Sequence, residues 1–187
     1  MKAILTTAML TFFSSLAMAQ TPMSPVPLYF EPSIPARIEA MPRGLPRARG
    51  PGLMHALQLA RAAVDACMAM GEPVSVRVAD SVGTTVVMLS GDGAGERSQL
   101  ITKVKVAVVA TYRMTGSELA EKADADPKLA KAIHDNPNIV TIRGSALKLM
   151  SGSTFVGVLA VSGAPGLDQT CAQAALDKFP MPTASAE

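Results

Sequence analysis

The stretch that decides the fold is PVSVRVADSVGTTVVMLSG, residues 73–91. Residues 74–78 alternate between valine and a polar side chain, a period of two that is typical of a half-buried strand. Residues 80–83 (DSVG) supply a turn, and a second run rich in β-branched residues follows at 84–89. The stretch therefore predicts an antiparallel β-hairpin.

Helical patterns lie on both sides of this hairpin. At 53–70, apolar residues recur at intervals of three and four, and Gly71 is suited to end the helix. The run QLITKVKVAVVATYRM at 99–114 predicts a buried helix with a broad apolar face. Residues 116–137 predict two short helices, the second beginning near Asp126-Pro127.

The C-terminal part predicts three strands and a last helix. The strands are expected at 138–144 (NIVTIRG), 146–152 (ALKLMSG) and 154–163 (TFVGVLAVSG). In the last helix, 167–179, Asp168 is expected to be the N-cap. Antiparallel strands with helices on their faces give an α+β layered domain.

The N-terminus carries a targeting pattern. Residues 1–19 combine basic Lys2, an apolar run and an Ala-x-Ala end, which predicts a secretory signal peptide and a periplasmic or secreted protein. Residues 20–52 are proline-rich and predict a disordered linker. We therefore expect a folded domain at 53–180, a short tail at 181–187, and no membrane span after signal cleavage.

Composition argues against nucleic acid as a partner. The chain has a formal net charge of +2, no Trp and few other aromatic residues. All of the positive excess precedes residue 53, which leaves residues 53–187 with a net charge of −1 and without the basic face that nucleic-acid binding requires. The two cysteines, Cys67 and Cys171, are an even number in an exported chain, so a disulfide is plausible on these grounds.

Few residues occur at the spacing of a known catalytic or metal-binding motif. His55 and His134 have no ligand-type residue at the spacing of a zinc site, so no metal site is predicted. Ser162 lacks the G-x-S-x-G context of a hydrolase nucleophile. The side chains that remain as candidates for a ligand pocket are Asp92, Arg97, Lys105 and Ser162.

Four stretches taken in order carry a family resemblance. They are VSVRVADSVGTTV, GDGAGERS, KVAVVATYRMTGSELA and GVLAVSGAPGLDQTCAQAA. Together they resemble the GlcG/HbpS family, a domain also found at the C-terminus of some corrinoid adenosyltransferases. The resemblance extends over about residues 53–180.

The resemblance implies a profilin-like, five-stranded antiparallel sheet flanked by helices, and usually a homo-oligomer. In that fold the first and last helices share one face, so we expect Cys67 and Cys171 to pair. Some members bind haem, and some exported members protect against haem or redox stress. The candidate axial ligands for haem here are His55, Tyr112, Met114 and His134.

Besides binding of haem or another tetrapyrrole, two other functions stay open at this point. The chain is also compatible with an enzyme that acts on a small organic molecule in a loop-lined pocket. Its high apolar content is equally compatible with a non-catalytic assembly protein.

Overall fold

The fold is taken from a computed structural model that describes residues 38–39, 48–136, 139, 144 and 146–182. The chain divides into two units, Met1–Leu45 and Pro46–Glu187. In the first unit only the helical residues Ile38 and Glu39 are described. The predicted signal peptide, most of the predicted linker and the last five residues of the tail lie outside the described residues and stay predictions.

Helices and strands alternate in the second unit much as the sequence patterns predict. The described helices are α1 (Leu53–Met68), α2 (Glu96–Tyr112), α3 (Gly116–Ala125), α4 (Pro127–His134) and α5 (Asp168–Lys178). The described strands are β1 (Ser75–Asp80), β2 (Thr85–Ser90), β3 (Ala146–Ser151) and β4 (Thr154–Ser162).

The described strands form one antiparallel sheet in the order β2-β1-β4-β3. The hairpin is confirmed, with Val76 of β1 opposite Leu89 of β2 and opposite Val161 of β4. Among the described residues the sheet has four strands, not the five expected from the family resemblance. The remaining predicted strand, 138–144, lies outside the described residues except for Ile139 and Gly144.

One face of the sheet carries the main apolar core. Val76, Val78, Leu159 and Val161 lie on this face beneath α1 and α5 and are fully buried. Burial of each such side chain stabilises the fold by about 1.5–3 kcal/mol. A disulfide between Cys67 of α1 and Cys171 of α5 joins the two helices, with a Cα–Cα distance of 5.5 Å. The expected disulfide is therefore confirmed.

The opposite face is covered by α2 and is more polar. Ser98 Oγ lies 2.7 Å from Ser75 Oγ, and Arg77 Nε donates to Thr102 Oγ1 at 3.2 Å. Val106 and Val109 pack beside these pairs in a second, smaller core. The helix is buried as predicted. Its contact with the sheet combines apolar packing with hydrogen bonds, since polar groups that are buried require partners.

Helices α3 and α4 form a side layer next to α2. Glu118 and the N-cap Thr115 form a reciprocal capping box at the start of α3. Asp126 caps α4 through the backbone N–H groups of Lys128 and Leu129, with proline in the first turn as predicted. None of the helices in the described ranges has the length and apolar character needed to cross a bilayer.

Candidate functional site

The best-defined polar site surrounds Lys105, which points from α2 into the protein. Its Nζ donates to Asp168 Oδ2 at 2.8 Å and to the carbonyl oxygen of Val161 at 2.6 Å. The side chains of Lys105 and Asp168 are only 6% and 13% exposed. The described β3–β4 ladder begins at Ala146 opposite Ala160, and the carbonyl of the next β4 residue, Val161, accepts from the Lys105 ammonium.

Asp168 does not act as the N-cap of α5, so that prediction is wrong. The N-cap is Leu167, without a side-chain hydrogen bond, and Asp168 is the first helical residue. Its Oδ1 accepts the backbone N–H of Ala164 at 2.9 Å, and its Oδ2 accepts from Lys105. The carboxylate therefore pairs with the buried ammonium through one oxygen and holds the turn after β4 through the other.

Gly144 allows the backbone to approach Lys105 closely. Its φ is +128°, a conformation that glycine adopts without steric cost. A Cβ atom at this position would lie 2.6 Å from Cε and 3.0 Å from Nζ of Lys105. The lysine side chain therefore fills the space that a larger residue at 144 would need.

The four predicted pocket residues do not form one cluster. Asp92 is exposed and lines an open groove of about 310 Å³ together with Arg61 and Met68. Arg97 is exposed on the first turn of α2, and Ser162 is buried at the end of β4 opposite Ser75. No hydrogen bond or ion pair joins Lys105 to Asp92 or Arg97, although all three are described; its ionic partner is Asp168.

The four candidate haem ligands lie in different surroundings. Tyr112 and Met114 pack against the small apolar cluster around Leu119, and His134 is exposed at the end of α4. His55 is half-buried in the first turn of α1, and its Nε2 is buried without a hydrogen-bond partner. Among the four, His55 is the side chain with an unsatisfied buried nitrogen.

Asp80, at the end of β1, carries the other unpartnered buried side-chain atom found among the described residues. It is 1% exposed; its Oδ1 accepts from the backbone N–H groups of Val82 and Thr84, while its Oδ2 accepts none. The sequence pattern predicts only that Asp80 lies in a turn, because alternation does not show that a strand-terminal carboxylate is buried.

Asp80 lies at the end of the sheet where α1 begins. The backbone N–H of Ser81 donates to the carbonyl of Arg49 at 2.9 Å. A Cβ atom on Gly157, which pairs with Asp80, would lie 3.3 Å from Cδ of Pro51. The segment that leads into α1 and His55 therefore packs across this end of the sheet.

An open apolar groove of about 280 Å³ lies along the outer side of α1. Met54 and Leu57, which flank His55 in sequence, line it with Phe179. At its edge Lys178 adds a positive charge, while Arg61 is paired with Asp65, which also lines the groove. Within the described ranges, no three His, Cys, Asp or Glu side chains group as metal ligands would.

Comparisons with known proteins agree with this architecture. The family model described as haem degrading protein HbpS-like matches residues 52–177. The chain is similar to HbpS, with 31% identity, a TM-score of 0.62, and coverage of 75% of this chain and 97% of that chain. It is also similar to a double mutant of HbpS from Streptomyces reticuli, with 30% identity, a TM-score of 0.63, and coverage of 75% and 94%.

A third similar structure is PduOC in complex with haem, with 24% identity, a TM-score of 0.62, and coverage of 73% of this chain and 99% of that chain. At this identity the likeness concerns the fold. No curated protein matches the sequence.

Proposed function

The chain belongs to the HbpS-like family of haem-degrading proteins, and from that membership we propose that it binds haem or a related metallated tetrapyrrole with His55 as an axial ligand. The observation that carries the choice of residue is the buried, unpartnered Nε2 of His55. A buried polar atom without a partner costs about 1–3 kcal/mol, and a bond to a metal removes that cost. Imidazole is a common axial ligand of haem iron.

An apolar surface that suits one side of a porphyrin lies next to His55 in the sequence. Met54, Leu57 and Phe179 line the groove there, although His55 itself is not one of its lining residues. Lys178 at its edge supplies a positive charge that suits a carboxylate of such a ligand, whereas Arg61 is paired with Asp65. The groove is open, and its volume of about 280 Å³ is slightly below the usual range for ligand sites, so a bound porphyrin would remain partly exposed. Bound haem would supply the redox chemistry of its iron, and the protein would bind and orient it.

The disulfide supports the export part of this proposal. Cys67 and Cys171 are joined, and such bonds persist mainly in oxidising compartments. We propose that the mature protein binds haem in the periplasm or outside the cell and limits haem or redox stress there.

Self-association is a second proposed property. Strand β2 is an edge of the described sheet, and an unpaired edge strand offers N–H and C=O groups to another chain. Light scattering of the mature chain tests this, since a monomer at all concentrations would contradict it. The alternative of an enzyme built on Asp92, Arg97 and Lys105 has less support, because Lys105 is engaged by Asp168.

The proposed function is tested by hemin titration of the mature chain, expressed from Gln20 in an oxidising compartment. We expect a saturable Soret shift in the wild type that is lost, or weakened about tenfold or more, in His55→Ala. His134→Ala is the matched control, since His134 is exposed, and it should titrate like the wild type. Absence of a shift in the wild type, or its loss in His134→Ala alone, would overturn the assignment.

A further inference from the structure

A third groove, on the other face of the sheet, is separate from the two grooves along α1. It lies between α2 and the turn that joins β1 to β2, has a volume of about 360 Å³, and is called the α2 groove below. Its lining includes Val82, Gly83, Lys103, Ala107, Ala110 and Arg113.

The floor of the α2 groove is apolar and is kept open by small residues. Gly83 has a φ of +89°, and a Cβ atom there would lie 3.3 Å from Cβ of Ala110. Ala107 and Ala110 are half-buried, while Val82 at the rim is 64% exposed. An apolar body that covered these residues would remove them from water, which is favourable at about 25 cal/mol per Å².

Two cations border this apolar floor without a counter-charge. Neither Lys103 nor Arg113 forms an ion pair within the described part of the chain, and no acidic residue lines the groove. By contrast, Lys105, Lys131 and Lys148 each contact a carboxylate. The α2 groove therefore has a positive rim over an apolar floor.

Arg113 is held in place in spite of a backbone cost. Its φ is +56°, the left-handed conformation, which costs an L-residue roughly 1–2 kcal/mol. Its guanidinium donates to the carbonyl oxygen of Ser81 at 2.6 Å and lies 4.3 Å from the ring centroid of Phe155. The guanidinium has five N–H donors, so the hydrogen bond to Ser81 leaves others available beside the groove.

Arg77 is a further cation that contacts α2, although it does not line the groove. It donates to Thr102, to Thr85 and to the carbonyl oxygen of Gln99, one helical turn before Lys103, and it has no ionic partner among the described residues. Burial lowers the pKa of Arg77. A nearby anion would offset the cost of burying this charge.

We propose that the α2 groove binds an amphipathic organic anion, whose apolar body covers Val82, Ala107 and Ala110 and whose carboxylate or sulfonate group contacts one of the two lining cations, Lys103 or Arg113, which lie about 15 Å apart along α2. The site does not depend on haem or on His55, because it lies on the face of the sheet opposite α1. With only two cations at its rim and a volume of about 360 Å³, it suits a small molecule rather than a polymer.

The test uses 1-anilinonaphthalene-8-sulfonate with the haem-free mature protein. Fluorescence gives the affinity, and ¹H–¹⁵N spectra locate the probe. We expect saturable binding that shifts the amide signals of Val82, Gly83 and Ala107, and about tenfold weaker binding in Lys103→Gln/Arg113→Gln. Ala107→Leu, which fills the floor and leaves both charges, should also weaken binding.

The controls separate this site from the haem site. Lys122→Gln removes a cation of α3, and His55→Ala changes the proposed haem site; both should bind the probe like the wild type. The uncharged N-phenyl-1-naphthylamine should bind more weakly than the sulfonate. Three results would each overturn the proposal. They are amide shifts confined to residues of the groove lined by Met54, Leu57 and Phe179, the absence of saturable binding, and equal affinity in the wild type and Lys103→Gln/Arg113→Gln.

Discussion

Lys105 and Asp168 form a buried ion pair, with Nζ 2.8 Å from Oδ2, although 63 residues separate them in the chain. The pair joins α2, on one face of the sheet, to the first residue of α5, on the other. It also satisfies the Val161 carbonyl at the end of β4. This single contact therefore connects both helical layers with the central sheet.

Removing only the cation should destabilise the fold strongly. Lys105→Met keeps most of the side-chain volume but leaves the carboxylate of Asp168 buried without its counter-charge, and breaking a buried pair in this way costs about 3–5 kcal/mol. Urea unfolding measures the loss. The exposed pair Lys131–Asp135 is the control, since Lys131→Met should cost less than about 1 kcal/mol.

A double variant separates the effect of charge from that of packing. Lys105→Met/Asp168→Asn removes both charges, so it should recover a large part of the loss seen in Lys105→Met. If both variants are equally unstable, the ion pair is not the source of the effect and the methylene packing of Lys105 is.

The disulfide should contribute substantially to stability. The bond closes a loop of 104 residues, and removal of such a crosslink costs about 2–5 kcal/mol. Cys67→Ala/Cys171→Ala should unfold at a lower denaturant concentration than the wild type, and reductant should not change its midpoint. Reduction of the wild type should lower its midpoint toward that of the variant. A thiol assay on the denatured, unreduced wild type should detect none; two free thiols would contradict the pairing.

Gly157 should not tolerate even a methyl group. A Cβ atom there would lie 2.3 Å from the carbonyl oxygen of Ala79 in the neighbouring strand, so Gly157→Ala must displace backbone and should cost about 3 kcal/mol or more. Gly95 is the control, because a Cβ atom there has no neighbour within 4 Å. Similar unfolding midpoints for Gly157→Ala and Gly95→Ala would show that the strands are not packed as described.

Local patterns in the sequence predicted most of the elements. Alternation at 74–78 and the turn at 80–83 fix the hairpin, and residues 126–127 fix the start of α4, because these signals act within a few residues. The even cysteine count makes a disulfide plausible, but the expectation that Cys67 and Cys171 lie close enough to pair comes from the family resemblance, since spacing does not show which helices share a face.

The candidate site was less accessible to prediction. A lysine on a helix and an aspartate before a helix suggest a solvated side chain and an N-cap, respectively. Here Lys105 and Asp168 pair with one another instead, and the Lys105 ammonium also donates to the Val161 carbonyl, so three elements that are distant in sequence meet at one point. The burial of His55 Nε2 and Asp80 Oδ2 likewise depends on how the segment before α1 crosses the sheet.

Glu118 should make the stability of α3 depend on pH in the acid range. The backbone N–H of Thr115 donates to its carboxylate at 2.7 Å, and Lys148 Nζ lies 2.9 Å away; the backbone hydrogen bond is the main reason that its pKa is lowered from the usual 4.5. Because the folded pKa is the lower one, this stabilisation is present above pH 4.5 and is lost as pH falls through the folded value.

The matched variant for this pH effect is Glu118→Gln, which keeps an acceptor for Thr115 but carries no charge. The Glu118 side chain is 48% exposed in the wild type, so the substitution should change the free energy of unfolding at pH 7 by less than about 1 kcal/mol. Urea unfolding between about pH 3 and 7 should show a shallower decline toward low pH than in the wild type. Glu121→Gln, an exposed neighbour in α3, should decline as the wild type does; equal slopes for all three proteins would mean that the capping box contributes no pH dependence.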